Sequence, residues 1–316
     1  GRFRAGPNGE VYFGQWFQSQ RNGIGQCDYP DGSTYKGNWR DGQQHGSGYW
    51  QHITGESYRG SWSAGQRHGD GLHRTVTGEE YRGSYHANLR SGKGTLLHAN
   101  GARYEGEWRE GLQAGIGEYW ETSGEYYKGE WKDGERCGKG RCVYAGGDVY
   151  EGEWHSGRRH GHGSNTYAQP PDLPSTMHVG FTPRDVQIDR QHAAGAAAGR
   201  PYSAPASQRK AAERAAETMT VEAGATGPLL TASGVFELSL PPVPSEGLPP
   251  AQYDGQWVDD KRAGAGRMCN SSGEVYEGEW ADNARHGHGT CMYPDGECYI
   301  GQWVNGERQG SGSLAN

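Results

Sequence analysis

The 316-residue sequence is poor in the residues that usually fill a protein interior. Only 32% are hydrophobic, with 5 Phe and 4 Met. Ile, Leu and Val are too sparse for the conventional cores that a chain long enough for two globular domains would need. Long apolar runs are missing, which excludes a membrane-spanning helix. The opening residues, Gly1 to Asn8, hold no initiator Met and no signal-peptide apolar segment. The 6 cysteines contain no Cys-x-x-Cys pair, so free thiols in a reducing compartment are expected. Positive charge is in deficit: the net charge of −7 disfavours nucleic acid and anionic membrane as partners.

Catalytic signatures are missing as well. There is no Gly-x-Ser-x-Gly elbow, His-Glu-x-x-His helix or calcium loop. The segment Gly134-Glu-Arg-Cys-Gly138-Lys139-Gly140 superficially suggests a phosphate loop. It is one residue short between its glycines and has Gly140 where a Ser or Thr is required. Asn270-Ser271-Ser272 is a glycosylation sequon, but so short a motif often arises by chance.

What is present is glycine and large amphipathic rings: 55 Gly, 11 Trp and 19 Tyr. Glycine does not recur every third residue, so collagen is excluded. The rings argue against disorder and must carry most of the burial.

These residues are phased. Tyr12-Gly14-Trp16, Tyr35-Gly37-Trp39, Tyr58-Gly60-Trp62, Tyr81-Gly83-Tyr85, Tyr104-Gly106-Trp108, Tyr127-Gly129-Trp131 and Tyr150-Gly152-Trp154 follow one another at 23-residue steps. Tyr253-Gly255-Trp257, Tyr276-Gly278-Trp280 and Tyr299-Gly301-Trp303 resume the same step. Side chains alternate faces along a strand, so Tyr, Gly and Trp share one face. The residues between them are polar, as at Lys36 and Asn38 or Glu277 and Glu279, which predicts a second, wet face.

A Gly-x-Gly pair such as Gly46-Ser-Gly48 predicts the start of a second strand, after a polar loop such as Asp41 to His45. Turns such as Pro30-Asp31-Gly32 and Asn100-Gly101 then close each unit. Each repeat is therefore a β-hairpin. The missing Cβ of glycine lets a ring from a neighbouring strand lie flat on the backbone. A lone hairpin is marginal in water and stacking makes the burial continuous. The fold expected is all-β: an elongated, single-layer antiparallel ribbon of about ten 23-residue hairpin repeats. Its length would be on the order of 100 Å.

The phase fails after Tyr167 and resumes at Tyr253. The expected organisation is repeats 1–7 over residues 1–167, a Pro/Ala-rich insert over 168–251, and repeats 8–10 over 252–316. The insert opens with Pro170-Pro171 and closes with Pro249-Pro250. It is expected to be mostly loop, with a short helix near 207–219 capped by Ser207. Val235 to Leu240 alternates apolar and polar residues and could add as an edge strand.

Other recurrent positions have structural explanations. Cys27, Cys142 and Cys291 fall fifteen positions after the repeat tyrosine, a site shared by Trp50, His73, Leu96, Tyr119 and Met268. Core filling is expected there. His45, His68, His160 and His286 share a site before Gly-x-Gly. Equivalent sites lie about 10 Å apart, too far to share a metal, so solvated loop histidines are expected and no metal or cofactor is predicted. The strand glutamates are expected to be a solvated face.

The Tyr-x-Gly-x-Trp…Gly…Gly-x-Gly pattern with Asp-Gly or Asn-Gly turns resembles the MORN (membrane occupation and recognition nexus) repeat. Gly129-Glu-Trp131-Lys-Asp-Gly134 and Arg159-His-Gly161-His-Gly163 are especially similar to it. The resemblance implies a non-catalytic scaffold that binds other proteins. Its long-array members resemble ciliary and flagellar components, including radial spoke heads, which implies cytoplasmic, axonemal or other cytoskeletal partners. The groove residues it points to are Tyr35, Trp39, Tyr58, Trp62, Tyr104, Trp108, Tyr127, Trp131, Tyr150, Trp154, Tyr276 and Trp280, for which core packing is an equal alternative. A peripheral membrane or phosphoinositide adaptor, and a regulatory segment of a larger enzyme, remain alternatives from the same resemblance. Residues 1–100 carry 11 Lys+Arg and 8 Asp+Glu (+3), and residues 253–316 carry 5 and 10 (−5). That polarity suggests orientation of the ribbon, by self-association end to end or on a charged filament.

Overall fold

A computed structural model describes residues 2–5, 9–168 and 250–315. Its described residues form 21 strands in one antiparallel sheet. A short strand, β1 (Arg2–Ala5), comes first. The first strands of the ten repeats are β2 (Val11–Phe17), β4 (Thr34–Arg40), β6 (Ser57–Ser63), β8 (Glu80–His86), β10 (Arg103–Arg109), β12 (Tyr126–Lys132), β14 (Val149–His155), β16 (Gln252–Val258), β18 (Val275–Ala281) and β20 (Cys298–Val304). The second strands are β3 (Gln20–Asp28), β5 (Gln43–Gln51), β7 (Gln66–Arg74), β9 (Leu89–Leu97), β11 (Leu112–Trp120), β13 (Glu135–Val143), β15 (Arg158–Thr166), β17 (Lys261–Cys269), β19 (Ala284–Met292) and β21 (Glu307–Ala315). Every strand pairs with its neighbours in sequence, as β4 does with β3 and β5.

The second strands start earlier than the sequence predicts. The hairpin loop is two residues, Asp41-Gly42 in repeat 2, both at positive φ (49° and 78°). That is the backbone of a type I′ turn, whose twist matches the flanking strands. Residues 43–45 are therefore strand, and the first glycine of Gly-x-Gly sits in a bulge rather than at a strand start. In repeat 5, Gly106 faces Gly117 while the next residue, Glu107, faces Ala114. Two residues, Gly115 and Ile116, are thus extra on β11. Gly115 takes a φ of 57°, a conformation that glycine adopts without strain.

The core is one continuous row of rings on one face. Each Tyr ring lies across the paired glycines of its own hairpin. A Cβ on Gly48 would fall within the Tyr35 ring. The Tyr35 hydroxyl donates to the Asn38 carbonyl at 3.0 Å, and the bond recurs at Tyr104 to Glu107 (2.9 Å) and Tyr276 to Glu279 (2.9 Å). From repeat 2 onward, the ring at the repeat's Trp position stands edge-on between two tyrosines. Trp39 contacts Tyr12 of the previous repeat and Tyr35 of its own, both at 5.2 Å between centroids. Its Nε1–H donates to the Gly25 carbonyl at 3.2 Å, in the preceding repeat. T-shaped pairs of this kind add about 0.5–1.5 kcal/mol each beyond area burial.

The row is not interrupted where the chain leaves the sheet. Tyr167 donates its N–H to the Ala251 carbonyl at 2.8 Å, joining the described residues on either side of 169–249. β15 pairs with β16, Gly163 facing Gly255. Across that joint, Tyr150 and Trp257 meet at 5.5 Å and Trp257 Nε1–H reaches the Gly163 carbonyl at 2.9 Å. The helix expected near 207–219 and the strand expected at 235–240 lie outside the described residues. Among the described residues no helix is long and apolar enough to cross a membrane.

Two outcomes follow from this packing. Gly48→Ala should cost about 3 kcal/mol, because the buried Tyr35 ring must move. Gly42→Ala, at positive φ with no atom within 4 Å of its Cβ, should cost only about 1 kcal/mol. Hydrogen exchange of the β4 and β5 amides with urea unfolding measures both.

Tyrosine ionisation provides a third. Burial raises the pKa of Tyr35, Tyr58, Tyr104, Tyr127, Tyr150 and Tyr253 and pushes Tyr276 up to about 12. An unfolded tyrosine ionises near about 10. The ladder's contribution is therefore complete below that value and is lost as pH rises above it. Ultraviolet titration should show these tyrosines ionising late, together with unfolding, and not as independent groups.

Candidate functional site

The twelve groove residues named from the sequence all fall in the ring row. Tyr35, Trp39, Tyr58, Trp62, Tyr104, Trp108, Tyr127, Trp131, Tyr150, Trp154, Tyr276 and Trp280 are 0–8% exposed. The hairpin register brings them onto one face, but packing on glycine and on one another leaves almost no ring surface to a partner. Trp62 has no partner for its Nε1–H, the exception in a row whose other buried Trp side chains reach a glycine carbonyl.

What lies over the rings is a second row, of arginines nine positions after each tyrosine. Arg21, Arg67, Arg90, Arg136, Arg159, Arg262, Arg285 and Arg308 occupy it, with Gln44 and Gln113 in repeats 2 and 5. Each faces its repeat's Trp or Tyr across the hairpin, as Arg67 faces Trp62. Arg90 stacks over Tyr81 at 4.9 Å and over Trp108 of the next repeat at 5.1 Å. Arg262 does the same over Tyr253 (5.7 Å) and Trp280 (4.5 Å). Such contacts are worth about 0.5–2 kcal/mol, more where water is excluded. These arginines, and not the rings, present polar groups on this face. Their signal was in the sequence as a 23-residue Arg period.

The arginines differ in how they are neutralised. In repeats 1, 6 and 9 each belongs to a partly buried group that the sequence repeats as a set. Arg136 pairs with Glu125 at 2.6 Å and lies 3.8 Å from the Cys142 Sγ. Arg285 pairs with Glu274 at 2.5 Å and lies 3.5 Å from the Cys291 Sγ. Arg21 pairs with Glu10 and lies 3.6 Å from the Cys27 Sγ. Tyr29, Tyr144 and Tyr293 follow the three cysteines at the same spacing. Burial pushes the Cys142 thiol up to about 12 and Cys291 up to about 11, so both are neutral at physiological pH. All six cysteines are free, and these three fill the core, as expected. Arg67 and Arg262 instead donate to the Asn88 and Asn283 carbonyls at 3.2 and 2.8 Å.

The opposite face corrects two expectations. Some strand glutamates do more than meet solvent. Glu130 Oε1 accepts the Lys139 N–H of the bulge at 2.8 Å, and Glu279 accepts that of His288 at 3.0 Å. The bulge opens a backbone donor that a Glu or Gln one residue beyond the repeat glycine satisfies. Histidines 45, 68, 160 and 286 sit in strands, not loops, and Nδ1 of His160 and His286 is buried without a hydrogen bond, that of His160 lying 3.9 Å from Asp259. The nearest histidine rings are His68 with His86 (5.2 Å) and His155 with His160 (5.5 Å). Among the described residues no group of three or more ligating side chains could hold a metal.

Comparison with known proteins agrees with this repeat. The MORN-repeat family model matches residues 12–34, 35–55, 58–78, 81–103, 104–125, 127–149, 150–168, 253–275, 276–298 and 299–315. No curated protein matches the chain. Among solved structures, the TCP10 domain of Danio rerio CPAP in complex with a peptide of STIL is 7% identical, with 98% of this chain and 95% of that chain covered at a TM-score of 0.39. The SAS-4 (dCPAP) TCP domain of Drosophila melanogaster, in complex with a proline-rich motif of Ana2, is 10% identical over 49% of this chain and 90% of that one, at 0.30. Likeness at that level carries nothing over to this chain. The phase of Tyr, Gly and Trp, the hairpin that each set folds into and the ten matched segments make one statement: the chain belongs to the MORN-repeat family.

Proposed function

We propose that this protein is a non-catalytic scaffold whose ring-and-arginine face holds an extended segment of a cytoskeletal partner, in an axoneme or a similar assembly. The observation that carries the proposal is the regular row of arginines over an unbroken floor of rings. A rigid, periodic surface suits a long partner contacted weakly at many points. On this reading the twelve rings act as the floor. They set the spacing of the arginines and contribute through shape, while the guanidinium groups make the contacts. Arg67, Arg90, Arg262 and Arg308 are the contact residues proposed, because no carboxylate pairs with them among the described residues. Repeats 2 and 5 carry Gln at this position, so Gln is compatible with the fold.

The test is detergent extraction of ciliated cells that express the tagged full chain. The wild type should remain with the axonemes. Arg67→Gln, Arg90→Gln, Arg262→Gln and Arg308→Gln combined should release most of it, while circular dichroism shows the variant still folded at a thermal stability lowered only by the lost ring contacts. Wild type that extracts with the soluble fraction, or that co-sediments with anionic liposomes, would show the proposal to be wrong.

A further inference from the structure

The face opposite the rings carries a pattern that the repeat does not require. The residue after each repeat tyrosine points away from the rings and is exposed in all ten repeats. In order these are Phe13, Lys36, Arg59, Arg82, Glu105, Lys128, Glu151, Asp254, Glu277 and Ile300. They stand in one row across the strands, about 10 Å apart by the strand spacing. Paired from the outside inward, the row complements itself: Phe13 with Ile300, Lys36 with Glu277, Arg59 with Asp254, Arg82 with Glu151, and Glu105 with Lys128. Every charged member meets the opposite sign, and the outermost pair is apolar.

The centre of the row is the middle strand, β11. Glu118 lies directly between Glu105 and Lys128 in register. On the same face of β11, two residues to either side of Glu118, are Ile116, 55% exposed, and Trp120. We propose that this face is the interface of a two-fold homodimer, in which a second copy packs face to face with its repeats running in the opposite direction and the axis over Glu118.

The axis runs along β11, so Ile116 of one copy meets Ile116 of the other and Trp120 meets Trp120, an apolar and aromatic centre of the kind that anchors interfaces. It also places Arg59 over Asp254 and its symmetry mates around a polar rim. The intervening second-strand positions introduce no like-charge contact away from the axis: Tyr49 meets Arg267, Leu72 meets Ser164 and Thr95 meets Arg141. Glu118 meets its own copy, but each Glu118 is already held by Lys128 at 3.1 Å and by the Tyr126 hydroxyl at 2.8 Å. Lys36, Arg82 and Glu277 make no ion pair within the chain among the described residues, and Arg59 contacts only the Tyr49 ring at 5.4 Å. Glu105, Glu151 and Asp254 pair with Arg103, Arg141 (3.9 Å) and His162 (3.3 Å) on the exposed face, surface pairs that a partner's charge exchanges at little cost.

Area is sufficient. A strand of seven residues is about 23 Å long and twenty strands span about 95 Å, roughly 2,000 Å² of face per copy. A stable dimer needs roughly 800 Å² per partner. Sheets of the same hand of twist pack face to face with strands within about 30° of one another. End-to-end association would leave this face uncovered and its sign pattern without a role.

Sedimentation of the full chain tests the proposal. Wild type should be dimeric at low salt, and its dissociation constant should rise about tenfold or more as salt is raised. Combining Lys36→Glu, Arg59→Glu and Arg82→Glu makes both halves of the row acidic. Combining Glu151→Lys, Asp254→Lys and Glu277→Lys makes both basic. Each triple variant should be monomeric alone, and an equimolar mixture should form a 1:1 dimer. The variant with all six changes should dimerise like wild type, which a mere loss of folding could not produce. Monomeric wild type at low salt and high concentration would overturn the proposal, as would triple variants that dimerise as wild type does.

Discussion

Everything in this sheet depends on the contact between a tyrosine ring and two bare glycine backbones. A single-layer sheet has no second layer to bury its inner face, so it must cover that face with its own side chains. A flat ring achieves this only if nothing projects beneath it. Gly37 and Gly48 under Tyr35 show the requirement directly: a Cβ at Gly48 would fall within the ring, and one at Gly37 would lie 2.5 Å from the Gly48 Cα. The high glycine content and the scarcity of aliphatic residues thus have one cause. Burial here is aromatic, and aromatic burial at this proximity demands glycine.

The second constraint is that consecutive repeats interlock. From repeat 2 onward, the ring at the Trp position is edge-on to its own tyrosine and to the one before, and most of these Trp side chains bond a glycine carbonyl of the preceding repeat. The stacking energy is therefore shared between neighbours, as in other one-dimensional arrays. This explains how β15 and β16 pair without a fault although residues 168–250 lie between them in sequence. The contacts that Trp257 makes are those that any Trp makes with the repeat before it, whatever the length of chain between them.

The arginine row connects this packing to function. A guanidinium over two rings covers their edges while keeping polar groups at the surface. Where a Glu, a Cys and a Tyr accompany it, in repeats 1, 6 and 9, the charge is satisfied internally. Where they do not, as at Arg67 and Arg262, the guanidinium reaches a turn carbonyl and keeps donors for a partner. The two faces then differ in kind. One is a periodic floor of rings beneath arginines, and the other is a charged surface whose signs reverse about its middle.

The residues alone determined the hairpin, its 23-residue step and the identity of the ring row, because period-two alternation and turn chemistry are local. They did not determine the two-residue hairpin loop, since Gly46-Ser47-Gly48 looks like a strand start until the positive φ at Gly46 places it in a bulge. The roles of Glu130 and Glu279 followed from that bulge, because the backbone donors that they satisfy exist only once it forms. Only the tertiary structure decided that the candidate groove rings are buried, that the arginines lie over them, and which exposed residues share a row across the insert. Each of these depends on which strand lies beside which, and contacts between distant parts of the chain are set by packing and not by any local preference.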